Sequence, residues 1–285
     1  MFTRQRILER LHGQKVAGRA ILMFGAGTGL TARCAELGGA DLIGIYSTAF
    51  YRMQGKASLL AWLPYADVNA ELLRRAPEIL SAVRETPCIA GLGAHDPNRS
   101  IDVLLDEVTR LGFSGVTNEP FSSMYGLAFS AELEVAGIGF SREVRLVARA
   151  RERDIFSLAW VFNPDEARRM AEAGADVVGA MVGVTAGGLT GAQKTVGLEE
   201  GVELVQGMCQ AARAVRPDII VLTHGGPFKD PDSAGYSIAH SEADGYAAGS
   251  SGERLPTERA VIDTTARYKE IHLQTRREVG VADAG

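Results

Sequence analysis

His224 stands where this chain could most readily do chemistry. It closes the apolar run Ile219-Ile-Val-Leu-Thr and is followed by Gly225, Gly226 and Pro227. An imidazole that titrates near neutrality can carry a proton beside a bound anion. Alternatively, it can be a hydrogen-bonded brace beneath a loop. The N–H groups of Gly225 and Gly226 could stabilise an oxyanion or enolate. A second apolar run, Gly245–Ala248, stops at Gly249, Ser250 and Ser251. This small-residue turn suits the anionic end of a ligand. Glu253, Arg254 and Glu258 come next. Arg254 could fork onto a carboxylate or phosphate, and Glu253 is a candidate catalytic group. All three could equally knit the loop together, and Glu258 could serve the acidic first turn of a helix.

Two carboxylates follow earlier apolar runs: Asp96 in Gly93-Ala-His-Asp-Pro97 and Glu119 in Thr117-Asn-Glu-Pro120. Asp96, before proline, could simply cap a helix. No helix is expected to begin at Glu119, so its carboxylate should face the site, bind a metal or act on substrate. Together they could hold a hard cation such as Mg²⁺. Gly25-Ala-Gly27-Thr-Gly29-Leu30 resembles a dinucleotide loop, but Leu30 replaces the last glycine. Tyr46-Ser47 stands where that fold needs an acid. No nucleotide cofactor is expected. Gly25 and Gly27 instead read as a tight turn facing the site, with Ser47 beside it as a further substrate contact.

Strand-like runs alternate with helical patterns along the whole chain. The expected strands are 20–24, 42–46, 88–93, 115–118, 156–161, 176–182, 219–223 and 245–248. The expected helices are 68–84, 100–111, 141–153, 164–173, 198–215, 231–240 and 256–276, from apolar residues at helical spacing. Asn163-Pro164-Asp165-Glu166 is a helix start with cap, proline and acids in order. Glu36-Leu-Gly-Gly-Ala-Asp41 and Glu172-Ala-Gly-Ala-Asp176 repeat one ending, a helix closed by glycine and then a strand. Eight such units predict a single (β/α)₈ TIM barrel over 1–278, with a frayed tail over 279–285. The first helix, Thr3–Leu11, should plug the barrel floor. Catalytic loops of such barrels follow the strand C-termini, and the last two often hold a phosphate-like group. The connections 47–67 and 183–197 are too long for plain turns and read as lids or substrate arms.

The 285 residues include 46% hydrophobic and 23% charged side chains, an ordinary globular composition. A net charge of −5 offers no basic field for nucleic acid. No apolar run approaches a membrane span. Three scattered cysteines, Cys34, Cys88 and Cys209, fit reduced thiols in a cytoplasmic protein. A homo-oligomer that takes a small anionic substrate is expected.

Several stretches resemble the phosphoenolpyruvate hydrolase-like, or TIM-barrel signal transduction, family. They are Tyr51-Arg-Met-Gln-Gly-Lys-Ala-Ser-Leu-Leu-Ala-Trp-Leu-Pro-Tyr-Ala-Asp67, Val161-Phe-Asn-Pro-Asp-Glu-Ala-Arg168, Glu172–Asp176, Thr223-His-Gly-Gly-Pro227 and Gly249–Glu258. The same stretches are similar to the C-terminal domain of the plant tobamovirus-resistance proteins. The resemblance implies a barrel related to the phosphoenolpyruvate mutase and isocitrate lyase group, whose members hold an α-keto acid or its enolate on Mg²⁺. It puts Asp96, His224, Glu253 and Arg254 at family-pattern positions. The chain has no Lys-Lys-Cys-Gly-His segment and no Asp-rich run after the third strand. The implied activity is a hydrolase or lyase that cleaves a C–C or C–P bond next to a carbonyl through an enolate. The alternative is a non-catalytic ligand-binding barrel, a sensor or signalling module.

Overall fold

A computed structural model of the chain describes residues 1–273, and the expected tail over 279–285 lies outside them. The first helix, α1 (Arg4–Val16), is capped by the Thr3 side chain. Then β1 (Ile21–Gly25), α2 (Gly29–Leu37), β2 (Leu42–Ile45), α3 (Ser47–Met53), α4 (Val68–Leu80), β3 (Cys88–Gly91), α5 (Ile101–Leu111) and β4 (Gly115–Thr117) make the first half. The second half is α6 (Gly126–Val135), α7 (Phe140–Glu152), β5 (Phe156–Val161), α8 (Pro164–Glu172), β6 (Val177–Met181), α9 (Leu198–Val215), β7 (Ile220–His224), α10 (Pro231–Ala239), β8 (Gly245–Ala248) and α11 (Arg254–Lys269).

The strands are all parallel and close in sequence order, β8 pairing with β1 through Ile21↔Gly245 to Phe24↔Ala248. Their near-continuous apolar runs follow from burial on both faces. Inside the barrel, Ile21, Met23, Leu42, Ile89, Phe156, Leu158, Val177, Ile220 and Leu222 form one cluster with Ile7 and Leu11 of α1. The N-terminal helix therefore closes the floor. It is tied there by Arg4, whose guanidinium donates to Asp176 at 2.6 Å. Among the described residues no helix is long and apolar enough to cross a membrane.

The structure differs from the sequence reading in the connections. The segment after β2 is not an open loop: α3 follows the strand directly, and a 3₁₀ turn spans Ser58–Trp62. The first N–H groups of α3, at Ser47 and Thr48, donate to the Glu119 carboxylate of a distant strand end. That cap comes from across the fold, so no local pattern announces it. A second insertion after β4 holds the 3₁₀ turn Ser122–Tyr125 and α6. Helix α6 buries no side chain and so lacks an apolar stripe to read. Helix α11 begins at Arg254, two residues before the expected start at Pro256, and buries only Arg254 and Leu255.

Candidate active site

A cavity sits over the C-terminal ends of the strands. Its floor is made by Tyr46, Glu119, Trp160, Met181, His224 and Gly249, with Arg52 and Ser250 at one side. Ser58, Leu59 and Trp62 cover it from the segment after α3, Phe121 and Met124 from the insertion after β4, and Val184 and Thr185 from the segment after β6. The volume open to the centres of water-sized atoms is about 50 Å³. At roughly 10–15 Å³ for each water, this is room for about three to five waters, the scale of a small acid.

Arg52 dominates the charge of this cavity. Helix α3 carries it inward, and the residue is 4% exposed. Its Nε donates to the Glu253 carboxylate, and Nη2 donates to the Gly25 carbonyl at 2.5 Å. The guanidinium also lies 5.7 Å from the centre of the Tyr46 ring. Nη1 has no protein acceptor among the described residues and turns toward Gly249, where an added Cβ would stand 3.5 Å from it. Glu253 in turn accepts from Gly27 N at 2.7 Å and from Thr31 Oγ1 at 2.5 Å. One carboxylate thus fixes the first βα turn, α2 and the guanidinium together.

Glu119 faces Arg52 across the cavity. Its oxygens accept from the backbone of Ser47 and Thr48, each at 3.2 Å, and from Ser47 Oγ at 3.3 Å. Burial pushes its pKa up to about 7, although those hydrogen bonds and the Arg52 charge oppose the rise. A carboxyl in that state can donate a proton near neutrality.

His224 does not have the near-neutral pKa expected of it. Burial lowers it to about 4, with the Arg52 charge acting in the same direction. Its Nδ1 lies 2.5 Å from the Ala247 carbonyl, which can only accept, so Nδ1 carries the proton. Nε2 is then a lone-pair acceptor, 3.7 Å from where a side chain on Gly249 would begin. Trp160 packs 4.9 Å from the imidazole, centre to centre.

The other expected residues have different positions and partners. Gly249 and Ser250 line the cavity beside His224 and Glu119. Gly226 spends its N–H on the Gly183 carbonyl at 3.0 Å, and Gly225 packs so closely that a Cβ would meet the same oxygen at 2.1 Å. Ser251 Oγ pairs with the Tyr246 hydroxyl at 2.8 Å, in a buried network behind the turn. Arg254 donates to Glu258 and to the Gly187 carbonyl, both at 2.9 Å, and so anchors the segment after β6. Ser47 borders a neighbouring cavity beside α4. Asp96 lines another, with Asn69 and His95. Among the lining residues that spacing and residue type do not mark as candidates are Arg52 and Trp160. Arg52 lay in the Tyr51-Arg-Met-Gln stretch that carries the family resemblance, which was the available signal. Trp160 stands inside the apolar run 156–161, which marks a strand and nothing about a site.

Residues 6–271 match the phosphoenolpyruvate hydrolase-like family. The chain belongs to that family. It is 41% identical over 269 residues to the ToMV resistance protein Tm-1(GCR237) of Solanum lycopersicum, covering 94% of this chain and 36% of that protein. The chain thus spans about a third of the length of this curated relative. In fold it is similar to oxaloacetate acetylhydrolase (TM-score 0.63, 15% identity, 99% and 91% of the two chains). It is also similar to phosphonopyruvate hydrolase in a complex with oxalate and Mg²⁺ (TM-score 0.60, 16% identity, 98% and 94%). At such identities the likeness is one of fold.

The residues of this chain do not fit a Mg²⁺ site. Asp96 and Glu119 line different cavities instead of facing a shared ion. The Asp96 oxygens are taken by Asn69 Nδ2, the backbone of Asn98 and Arg99, and Arg99 Nε. Burial alone would raise its pKa, but these donors and the Arg99 charge hold it below the usual carboxylate range. Among the described residues no three His, Cys, Asp or Glu side chains gather around one point. The one carboxyl that lines the central cavity among the described residues, Glu119, already accepts from the backbone of Ser47 and Thr48, and a guanidinium shares the cavity with it.

Proposed function

We propose that the cavity binds a small keto acid and cleaves a C–C or C–P bond next to its carbonyl, with Arg52 as the positive charge that holds the resulting enolate. The observation that carries this reading is the anchoring of Arg52: Nε and Nη2 are fixed by Glu253 and Gly25, while Nη1 faces the cavity. A guanidinium preorganised in this way costs no reorganisation when charge develops on the ligand. The ligand carboxylate and the neighbouring carbonyl oxygen would lie toward Nη1 and the Gly249–Ser250 turn. Water attacks the departing phosphoryl group, which leaves as phosphate, or the departing carboxylate leaves as CO₂; in each case the electron pair of the broken bond passes onto the carbon next to the carbonyl, giving the enolate. Protonated Glu119 then returns a proton to that carbon. His224, neutral at pH 7, offers the cavity only the Nε2 lone pair, which accepts from a water molecule and not from the oxygens of the anion.

The test is release of pyruvate or phosphate from oxaloacetate and phosphonopyruvate by the purified protein, with and without a metal chelator. Turnover that survives the chelator and falls by about 10²-fold or more in Arg52→Met supports the reading; 10²–10³-fold is the usual loss for one such donor. Absence of turnover by the wild type on both acids would overturn the catalytic reading.

A second reading, a ligand-binding sensor, is favoured by the low pKa of His224, which leaves it a weak proton carrier at neutral pH. It predicts a rise in Tm with oxalate without turnover. We further propose a cytoplasmic homo-oligomer. The side chains of Val261 and Ile262 on α11, 58% and 56% exposed, support self-association, which sedimentation would detect.

A further inference from the structure

We infer that the indole N–H of Trp160 is a ligand donor, and that it selects acids carrying an oxygen next to the carboxylate. The inference rests on the small-acid reading of the same cavity and adds a specificity residue to it. Trp160 is 3% exposed, yet its Nε1 has no hydrogen-bond partner among the described residues. Buried donors are nearly always satisfied, and an unpaired one on a residue that lines a cavity points to a missing acceptor. The donor is held in place. The Trp160 backbone N–H donates to Asn118 Oδ1 at 2.7 Å, and its carbonyl accepts from Asn118 Nδ2 at 3.2 Å.

The ring also has reserved space. Trp160 pairs in register with Gly179, and any Cβ on Gly179 would stand 2.5 Å from Trp160 Cε3. The six-membered edge of the indole therefore lies over Gly179, which turns the Nε1 edge away from it. His224 and Phe121, with ring centres at 4.9 and 6.4 Å from that of the indole, pack near it and line the same cavity. Phenylalanine would fill this volume without leaving a donor unpaired. With the Arg52 charge shared between the carboxylate and the adjacent keto oxygen, the Trp160 N–H supplies a second, neutral donor to that keto oxygen. That oxygen becomes the enolate oxygen if the bond is cleaved.

Pyruvate and isobutyrate test this, because isobutyrate puts a methyl where pyruvate has the keto oxygen. In calorimetric titrations the wild type should bind pyruvate roughly tenfold more tightly, the scale of one well-placed hydrogen bond. Trp160→Phe should bring the two acids within about twofold by weakening pyruvate alone. A tenfold preference retained in Trp160→Phe would overturn the inference while leaving the small-acid reading standing. Binding of neither acid by the wild type would overturn both. The wild type provides a second measurement without substitution. The chain has two tryptophans, and the indole N–H of Trp62 is already bonded to the Phe121 carbonyl at 2.7 Å. Saturating pyruvate should move the Trp160 indole proton resonance downfield and isobutyrate should not. Equal responses to both acids would count against the inference.

Discussion

The Arg52 guanidinium meets the Glu253 carboxylate in the barrel mouth with side chains only 3% and 0% exposed. Desolvation of such a pair largely cancels its attraction, so its presence is weak evidence of stabilisation. What it does provide is position: Glu253 joins Gly27, Thr31 and Arg52 at one point.

Removing one partner leaves the other charge buried without compensation. Arg52→Met and Glu253→Leu should each lower unfolding free energy by about 3–5 kcal/mol. The double variant should recover most of that loss in urea denaturation while staying inactive. Additive losses in the double variant would mean that the two side chains are not coupled.

Glu119 makes stability depend on pH with a defined sign. Its pKa is 4.5 in the unfolded chain and about 7 in the fold. Between those values the folded state keeps a proton that the unfolded state has lost. Stability from this group is therefore full below about pH 4.5, declines as pH rises to 7 and is flat above. Glu143, also raised by burial to about 7, adds the same slope. In Glu119→Gln the contribution of residue 119 vanishes. The wild type should lose stability relative to this variant between pH 5 and pH 7.5, and a constant difference across that range would refute the assignment.

Strands and floor were legible because their signals are local and periodic. Apolar runs broken by glycine located all eight strands to within a few residues, and Thr3 marked the start of the plug helix. The site was legible only as a place. His224, Glu119, Gly249 and Ser250 do meet there. The partners of Glu253, Arg254 and Ser251 come from residues distant in sequence or from the far side of a turn, and spacing does not encode them. Arg52 was hidden for the same reason: the cap that makes its segment helical is the side chain of Glu119, whose sequence number is 67 higher (119 − 52).

Gly225 holds the wall behind His224 by having no side chain. Its φ is +80°, and a Cβ would press on the Gly183 carbonyl. Left-handed backbone costs a non-glycine residue roughly 1–2 kcal/mol, and overpacking commonly adds 1–3. Gly225→Ala should thus destabilise the fold by about 2–5 kcal/mol. It should also displace the neighbouring Val184–Thr185 edge of the cavity, weakening oxalate binding in the protein that remains folded. A loss under about 0.5 kcal/mol would contradict this packing.

His224 supplies the opposite pH dependence. Its pKa is 6.5 in the unfolded chain and about 4 in the fold, where burial disfavours the imidazolium. Its contribution to stability is full above about pH 6.5 and is lost as pH falls toward 4, because only the unfolded chain takes up the proton. His224→Asn can keep a donor toward the Ala247 carbonyl without titrating. The variant should therefore resist acidification from pH 6.5 to pH 4.5 better than the wild type. Nitrogen-15 spectra of the wild-type imidazole should show Nδ1 protonated and Nε2 bare at pH 7, with the second proton arriving only near pH 4. A midpoint near 6.5 would restore His224 as a proton carrier and would remove the main physical ground for the sensor reading.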